Sequence, residues 1–454
     1  MKESEVVDWL HGEMRGRLAG DEDMGELEKL VDRSTREIRR QLLERLVREA
    51  ATAVELACEQ CGELLRALAH RRGRSIDSSV GSIRFERSYG RCPKCARHIY
   101  PADVALGLHA RGRASPRVQE ICALSVLRAP AARAEKDVQR MTGIEVSAST
   151  LHREARRQGE RALTLRNRDV ELTERPGGVD ALAGRAPELP ANSTLIIEID
   201  AWNIRERDCW GQTEQLRGEG EEPGRWHWVY TGTVFRLDQR GTDRKGRAVI
   251  VERGYVATRG GIEPFTGQLY AEALRRGLQQ AETVLVIGDG AAWIWNLAGK
   301  RFKGAAQRLD LFHVKEHLWN LAAELHGRGT AEAEEWIRPY LQWLERRRNG
   351  PLDVIDSLQQ LSGRLRQLDR EKHEALEREI GYLEQHKDRM DYKEAKKLGQ
   401  PCGSGAIEST CSQYQRRFKL TGQFWSLQGD EAFLALATLH RNERWHHLFP
   451  HDES

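Results

Sequence analysis

The spacing of hydrophobic positions changes several times along this chain, and each change marks a candidate boundary. Leu27, Leu30 and Val31, then Ile38, Leu42, Leu43 and Leu46, recur at helical intervals among charged residues, which predicts helix over roughly residues 4–69. From Arg71 to Tyr100 short alternating segments such as SIRFERSYG take over and predict a small β-hairpin. Helix returns from Ser115 to Arg168, broken at Gly143. The stretch Thr173–Ser193 (TERPGGVDALAGRAPELPANS) is rich in Pro and Gly and reads as an interdomain linker.

Beyond the linker the pattern becomes α/β. Leu195–Asp200 (LIIEID), Trp226–Phe235 (WHWVYTGTVF) and Ala248–Val256 (AVIVERGYV) predict three strands, and a helix follows from about Phe265 to Gln280. Thr283–Ile287 (TVLVI) then predicts a buried strand running into Gly288 and Asp289. From Val314 to Lys397 the chain is helical and strongly charged, and a last helix begins near Ala406 after the break at Cys402–Gly405. Three strands, a helix and a further strand is the opening order of an RNase H-like fold. The chain therefore divides into a helical arm (1–57), a zinc ribbon (58–112), a helical, helix-turn-helix-like segment (113–172) and a linker (173–193). The first part of an RNase H-like core (194–313), a helical insertion (314–400) and a C-terminal helix and tail of that core (401–454) complete this multidomain α+β and α/β chain.

Composition changes this picture little, whereas charge distribution changes it more. The chain has 454 residues, 31% of them charged, with a net charge of only +3. Thr150–Arg168 nevertheless carries Arg153, Arg156, Arg157, Arg161, Arg166 and Arg168 against Glu154 and Glu160, and Ser409–Lys419 carries Arg416, Arg417 and Lys419 with no acid. Such faces suit nucleic acid, and they equally suit a solvated helix. The N-terminal MKESEVVDWLHGEMRGRL lacks the apolar core of a secretory signal, and no window approaches the roughly 20 apolar residues that span a bilayer. A cytoplasmic protein with reduced cysteines is the expectation.

In a reducing compartment paired cysteines point to metal. Cys58-Glu-Gln-Cys61 and Cys92-Pro-Lys-Cys95 supply four soft ligands for one structural Zn²⁺. Cys122, Cys209, Cys402 and Cys411 have no such spacing. Ala134–Arg157 (AEKDVQRMTGIEVSASTLHREARR) reads as a helix-turn-helix or a plain helical hairpin, with Gly143 at the turn, Val138 and Ile144 inside and Ser147 or Ser149 capping. Its second helix would turn Thr150, Arg153 and Arg157 outward, toward DNA.

Three acids stand where charge is costly unless used: Asp200 and Asp289 end apolar strands, and Glu408 follows Gly403-Ser404-Gly405 near a helix start. In-line phosphoryl transfer needs charge neutralised on both the attacking and leaving oxygens, and hard carboxylates bind the two Mg²⁺ or Mn²⁺ ions that do this. Glu198 shares the strand face of Asp200 and rivals it for the first position, while Asp310 in RLDLFHVKEHL rivals Asp289 for the second. His313 and His317, four residues apart, suit DNA or metal contact and equally a structural role. Trp293 and Trp295 open a helix, where they suit stacking on a flipped base or the core, and Trp295 reads as core. Trp425, in LTGQFWS, is the better candidate for a DNA-facing role.

The cysteine pairs followed by HIYPADVALGLH, then TGIEVSASTLHREARRQG, VIGDGAAWIWNLA, RLDLFHVKEHLW and GSGAIESTCSQYQRRFKLTGQFWS, resemble in that order the transposases of the ISKra group of bacterial insertion sequences. The resemblance spans roughly residues 55–446, and GDGAAWIWNL and GSGAIES are its most specific pieces. It implies a DDE transposase with Asp200, Asp289 and Glu408 as its triad and an all-helical insertion between the second and third acids. It further implies DNA as partner (transposon ends and target), association with the nucleoid, and a homodimer or larger assembly to hold two ends. Ser412 stands where a lysine is expected, and Arg416, Arg417 and Lys419 are the cations that substitute. Two rivals remain: a domesticated relative that binds DNA without cutting, and a nuclease of the same fold that cleaves without joining.

Overall fold

The computed structural model describes residues 3–18, 20–109, 112–207, 212–220, 225–367 and 369–450. They form two compact units, 1–158 and 159–452; Cys209 lies outside the described residues.

The first unit begins with α1 (Glu3–Arg15) and α2 (Met24–Ala53), the latter started by a reciprocal cap between Asp23 and Glu26. One face of α2, through Leu43, Val47 and Ala51, packs on Ile76, Ile83 and Phe85 of a long hairpin, β1 (Arg66–Ser78) and β2 (Gly81–Arg91). A short β3 (His98–Ile99) and α3 (Pro101–Ala105) follow. Residues 55–69 are therefore not helix as expected. The backbone curls at Cys58, whose amide donates to the Glu63 carbonyl while Gly62 donates back to Cys58, and β1 starts at Arg66. The arm and the ribbon thus share a core instead of standing apart.

Next come α4 (Pro116–Arg128), α5 (Ala131–Thr142) and α6 (Ala148–Thr173). The turn between α5 and α6 falls where the sequence places it. Gly143 is left-handed at φ 65°, Val138 and Ile144 are buried, and the Ser147 hydroxyl accepts from the Thr150 amide. The boundary between the units lies within α6, at residue 158.

In the second unit the expected linker contains α7 (Gly178–Ala183), whose Leu182 and Ala183 are buried against Ala271 and Leu274. Its Pro and Gly residues flank an ordered, packed helix. Then follow β4 (Thr194–Glu206), α8 (Thr213–Gly218), β5 (Arg225–Arg236), β6 (Arg240–Thr242), β7 (Ala248–Ile250) and β8 (Arg253–Thr258). After them run α9 (Ile262–Arg275), β9 (Thr283–Gly288), α10 (Ala292–Arg301) and β10 (Ala306–Leu309). The single strand expected over Ala248–Val256 is two: β7 pairs with β6 in a separate hairpin, the chain bends with Val251 exposed, and β8 then enters the main sheet.

That sheet is mixed, in the order β10-β9-β4-β5-β8. β4 is antiparallel to β5 and β5 to β8, while β9 is parallel to both β4 and β10. The charged region is helical as predicted: α11 (Leu311–His326), α12 (Ala331–Arg346), α13 (Gly350–Leu365), α14 (Arg370–His386) and α15 (Tyr392–Lys397). Its apolar stripes (Leu318, Ile337, Leu358, Leu376) join one core with Ile197, Ile199 and Val286 of the sheet and with α9 and α10. Each such fully buried aliphatic side chain contributes about 1.5–3 kcal/mol. On β4, Ile196, Glu198, Asp200 and Trp202 alternate to the other face, near α16 (Gly405–Phe418), with α17 (Leu427–Arg441) after it.

α6 and α17 meet backbone to backbone at Gly159, where a Cβ would lie 2.5 Å from the carbonyl oxygen of Ala432. Gly159→Val should overpack this crossing and destabilise the second unit by about 1–3 kcal/mol. A lowered melting temperature checks it, and an unchanged one would show that the crossing tolerates a side chain.

Candidate functional site

Two places in the chain concentrate chemistry. The first is the cysteine cluster. Cys61 Sγ lies 3.6 Å from Cys92 Sγ and 3.3 Å from Cys95 Sγ, and all four sulfurs lie within 4.8 Å of one another. Sulfurs placed tetrahedrally about 2.3 Å from zinc stand roughly 3.8 Å apart, so the donor set could bind this ion. None of the four is in a disulfide. The Cys95 amide points at Cys92 Sγ from 3.2 Å and is the main cause pulling the Cys92 thiol down to about 7. Asp103 of the ADVALGLH segment pairs with Arg74 on β1 and Arg87 on β2, the first two buried and Arg87 half-buried. That buried acid locks the hairpin to α3.

The second place is a group of carboxylates around the β4–β9 junction. Asp200 lies two residues beyond Glu198 on the same face of the central strand. Asp289 follows β9, the parallel neighbour of β4, in the Gly288-Asp289-Gly290 turn. Its Oδ1 accepts from the Ala291 amide at 3.0 Å. Gly290 adopts φ 105°, and a Cβ there would meet the Tyr382 hydroxyl at 2.7 Å; both facts require glycine. That hydroxyl donates to the Asp289 carbonyl, 3.2 Å away. Tyr382 stacks on His317, centroids 3.9 Å apart, and His317 Nδ1 lies 2.7 Å from Glu379. Helix α14 of the insertion thereby holds the turn that carries Asp289.

Glu408 stands in the first turn of α16, exposed to solvent. What fixes that helix is Glu198, 1% exposed, whose carboxyl accepts the backbone N–H groups of Ile407, at 2.9 Å, and Ala406. Burial pushes Glu198 up to about 8 against the pull of those amides. It accepts from the first amides of that helix, whereas Asp200 accepts from its neighbour Ala201 and from the Cys411 thiol. Asp310 is buried and engaged too: it caps α11 through the Phe312 amide at 2.7 Å, and the Ser404 hydroxyl donates to it. Its own amide donates to the Gly288 carbonyl, which sets it beside the Asp289 turn.

Asp200 and Glu408 repel each other through their charges. Burial chiefly raises Asp200, the charge of Asp289 raises it further, and the Ala201 amide, the Cys411 thiol and His313 oppose the shift. Glu408, though exposed, is partly desolvated by the protein around it, which raises it first, and the charges of Asp310 and Asp200 raise it further. Among the described residues only the cysteine cluster brings three or more ligand atoms within 4.8 Å of one another, so the acids stand further apart than the sulfurs.

The remaining sequence candidates divide. Arg153 is exposed, 3.1 Å from the Thr150 hydroxyl. Arg157 is not outward: buried Glu154 holds its guanidinium at 2.5 Å, and it is only half-buried in turn because that acid needs its charge. Arg416 and Lys419 are exposed. Burial lowers Arg417 to about 10, and it sits 5.4 Å over the ring of Trp425. Trp425 is the clearest correction. It is 6% exposed, donates Nε1–H to the Phe418 carbonyl and packs between Phe418 and Phe433, so neither ring face is open for stacking. Trp295 is core as expected, and Trp293 packs edge-on against Tyr230.

Sequence reasoning missed Tyr382, which sits inside a charged helix with nothing local to mark it. It also missed Arg308, buried on β10 and bonded to both Asp391 oxygens, the Gln400 side chain and the Pro401 carbonyl. The signal was available there: a charge inside an apolar strand needs a partner.

Purified protein should contain about one zinc per chain, and a Cys92→Ser/Cys95→Ser variant should lose it together with protease resistance in residues 58–112. A metal-free first unit that melts as the zinc-bound form does would contradict this. Comparison with models of known protein families and with curated proteins returns no match.

Proposed function

We propose that this chain is a DDE-type DNA transposase on an RNase H-like core, in which Asp200, Asp289 and Glu408 hold two divalent cations. The observation that carries the reading is topological. Numbered along the chain, the five strands of the main sheet stand in the order fifth, fourth, first, second, third, with three antiparallel strands and two parallel ones. This is the strand order of an RNase H-like sheet. One acid comes from its first strand, one follows the adjacent parallel strand, and one comes from the helix after an all-helical insertion. The motif order of the ISKra resemblance supports the same three residues.

The donor set fits the cations in kind. All three groups are hard oxygen ligands, and two of them are raised by burial and by neighbouring negative charge, which a cation would relieve. Bound there, Mg²⁺ or Mn²⁺ would neutralise the attacking and leaving oxygens of an in-line phosphoryl transfer. The rest is done by the protein. Glu198 holds α16 so that Glu408 faces the strand of Asp200, and Tyr382 with Gly290 holds the Asp289 turn. The Cys411 thiol hydrogen-bonds Asp200 and restrains its carboxylate. Arg416 and Lys419 offer charge to DNA phosphates beside the acids. The products are free 3′-hydroxyls at transposon ends, which then attack target DNA. Joining two ends requires at least two such sites, hence a homodimer or larger.

Asp200→Asn, Asp289→Asn and Glu408→Gln should each lower both cleavage and joining of end DNA by roughly 10²–10³-fold or more, while end binding stays nearly intact. A double variant should be little worse than a single one, because the acids act as a unit. Glu198→Gln, whose amide oxygen still accepts from α16, should keep substantial activity. Near-normal joining by Asp289→Asn would end the triad assignment, and an unaltered protein that cuts without ever joining would establish the nuclease instead.

A further inference from the structure

Beyond Asp200 the central strand and its partner run on past the carboxylates, and their surface there is unusual. Trp226 and Trp228 of β5 are 57% and 54% exposed. Strand register sets Trp226 opposite Arg205 and Trp228 opposite Asn203 of β4, so these four side chains share one face. A third segment joins the edge: the Trp425 amide donates to the Arg205 carbonyl, and the Arg207 amide donates to the Trp425 carbonyl. Alternation then turns Trp425 inward and Phe424 outward, onto the face of the tryptophans.

The cations on this face lie over aromatic rings. The Arg205 guanidinium is 5.8 Å from the Trp226 centroid and 4.9 Å from that of Phe424. Arg207 stands 4.0 Å over Phe424, and Lys419 Nζ lies 5.6 Å from Trp226. Glu206, the acid of this run of β4, faces the opposite side, where Arg259 engages both its oxygens. Exposed indoles, a phenyl ring and three cations therefore lie together on the strand that carries Asp200, its partner β5 and the segment that follows Glu408's helix.

Exposed aromatic faces interleaved with cations match one chemistry: unpaired nucleotides, whose bases stack on the rings while their phosphates meet the cations. A paired duplex has its base faces covered and offers the rings nothing. Building on the transposase reading, we infer that this face, on the side of the sheet opposite the Asp200 carboxylate, binds a short unpaired DNA segment that runs past the acids, with Trp226 and Trp228 as the stacking platform. Asn203 and Arg205 lie three and five residues past Asp200, or about 10–17 Å along the strand.

The test uses the full-length zinc-loaded protein and dye-labelled oligothymidylate, free or annealed to its complement. Trp226→Ala/Trp228→Ala should weaken binding of the single strand by roughly tenfold or more per stacked base and leave duplex binding within about twofold. Trp226→Phe/Trp228→Phe should restore most of the loss, which a purely structural role for the bulk of indole would not. Arg205→Ala/Lys419→Ala should flatten the salt dependence for the single strand. Equal losses for single strand and duplex, or no loss for either, would overturn the inference. So would a concentration-dependent dimer abolished by the alanine pair with DNA binding unchanged, since the face would then be a contact between copies of this chain. Selective single-strand binding in a protein that neither cuts nor joins would leave this site standing and remove the transposase reading; cutting and joining untouched by the tryptophan variants would do the reverse.

Discussion

A carboxyl group shut away from water must be neutralised, paired or hydrogen-bonded, and Glu198 meets this demand with the first amides of a helix. The unsatisfied N–H groups at a helix start and the positive end of its dipole are the natural partners of a buried acid. Because Glu198 sits on the central strand, the bond pins α16 to β4 at one point. Glu408, one residue beyond Ile407, is thereby carried to the acid two residues along the strand from Glu198. The Cys411 thiol on Asp200 and the packing of Trp202 against Phe418 hold the same helix to the same strand further along. The cost of the Glu198 contact is visible in the raised proton affinity of that acid, which burial imposes against the amides.

The helical insertion supplies the corresponding hold on Asp289. It is not an appended lobe, since its apolar residues belong to the same core as one face of the sheet. From within it, the stacked pair His317 and Tyr382 reaches the carbonyl of Asp289, while Arg308 on β10 grips Asp391, Gln400 and Pro401 just before α16 begins. Removing the insertion would take away the hold of Tyr382 on the Asp289 turn and the Asp391 partner of Arg308. An excursion of this length between the second and third acids is thus a brace for both of them.

Periodicity and spacing carried much of this. The helical insertion, the Gly143 turn, the two cysteine knuckles and the strand ending before Asp289 were all legible, because each is written in local residue type, whereas β4 does not end at Asp200 as expected but runs on to Glu206. What failed was non-local. Residues 55–69 have helical spacing but are bent by cysteines whose sulfurs must converge on one point. The Pro- and Gly-rich stretch before β4 holds a packed helix, because Leu182 finds a pocket on α9 that no local pattern records. Arg157 looked free until Glu154, three residues before it, was found buried. The acids illustrate the same boundary: Glu198 rivals Asp200 in sequence because both share one strand face, and only the fold shows that Glu198 is fully buried on the first amides of α16 while Asp200 is partly exposed.

Phe424 and Trp425 show how finely that distinction can fall. Both are large aromatics in one motif, and hydrophobicity ranks them together. The segment that carries them runs as a short extra strand against the end of β4, and the two-residue repeat of extended chain sends one ring into the protein and the other out. The inner ring completes a stack with Phe418 and Phe433 and fixes where the segment lies. The outer ring is then presented, already positioned, beside Arg205, Arg207 and Trp226. A buried aromatic thus serves the exposed face without touching it: it determines the register in which its neighbour meets solvent. The surface beyond Asp200 is consequently tied to that acid, because both are carried by the same strand.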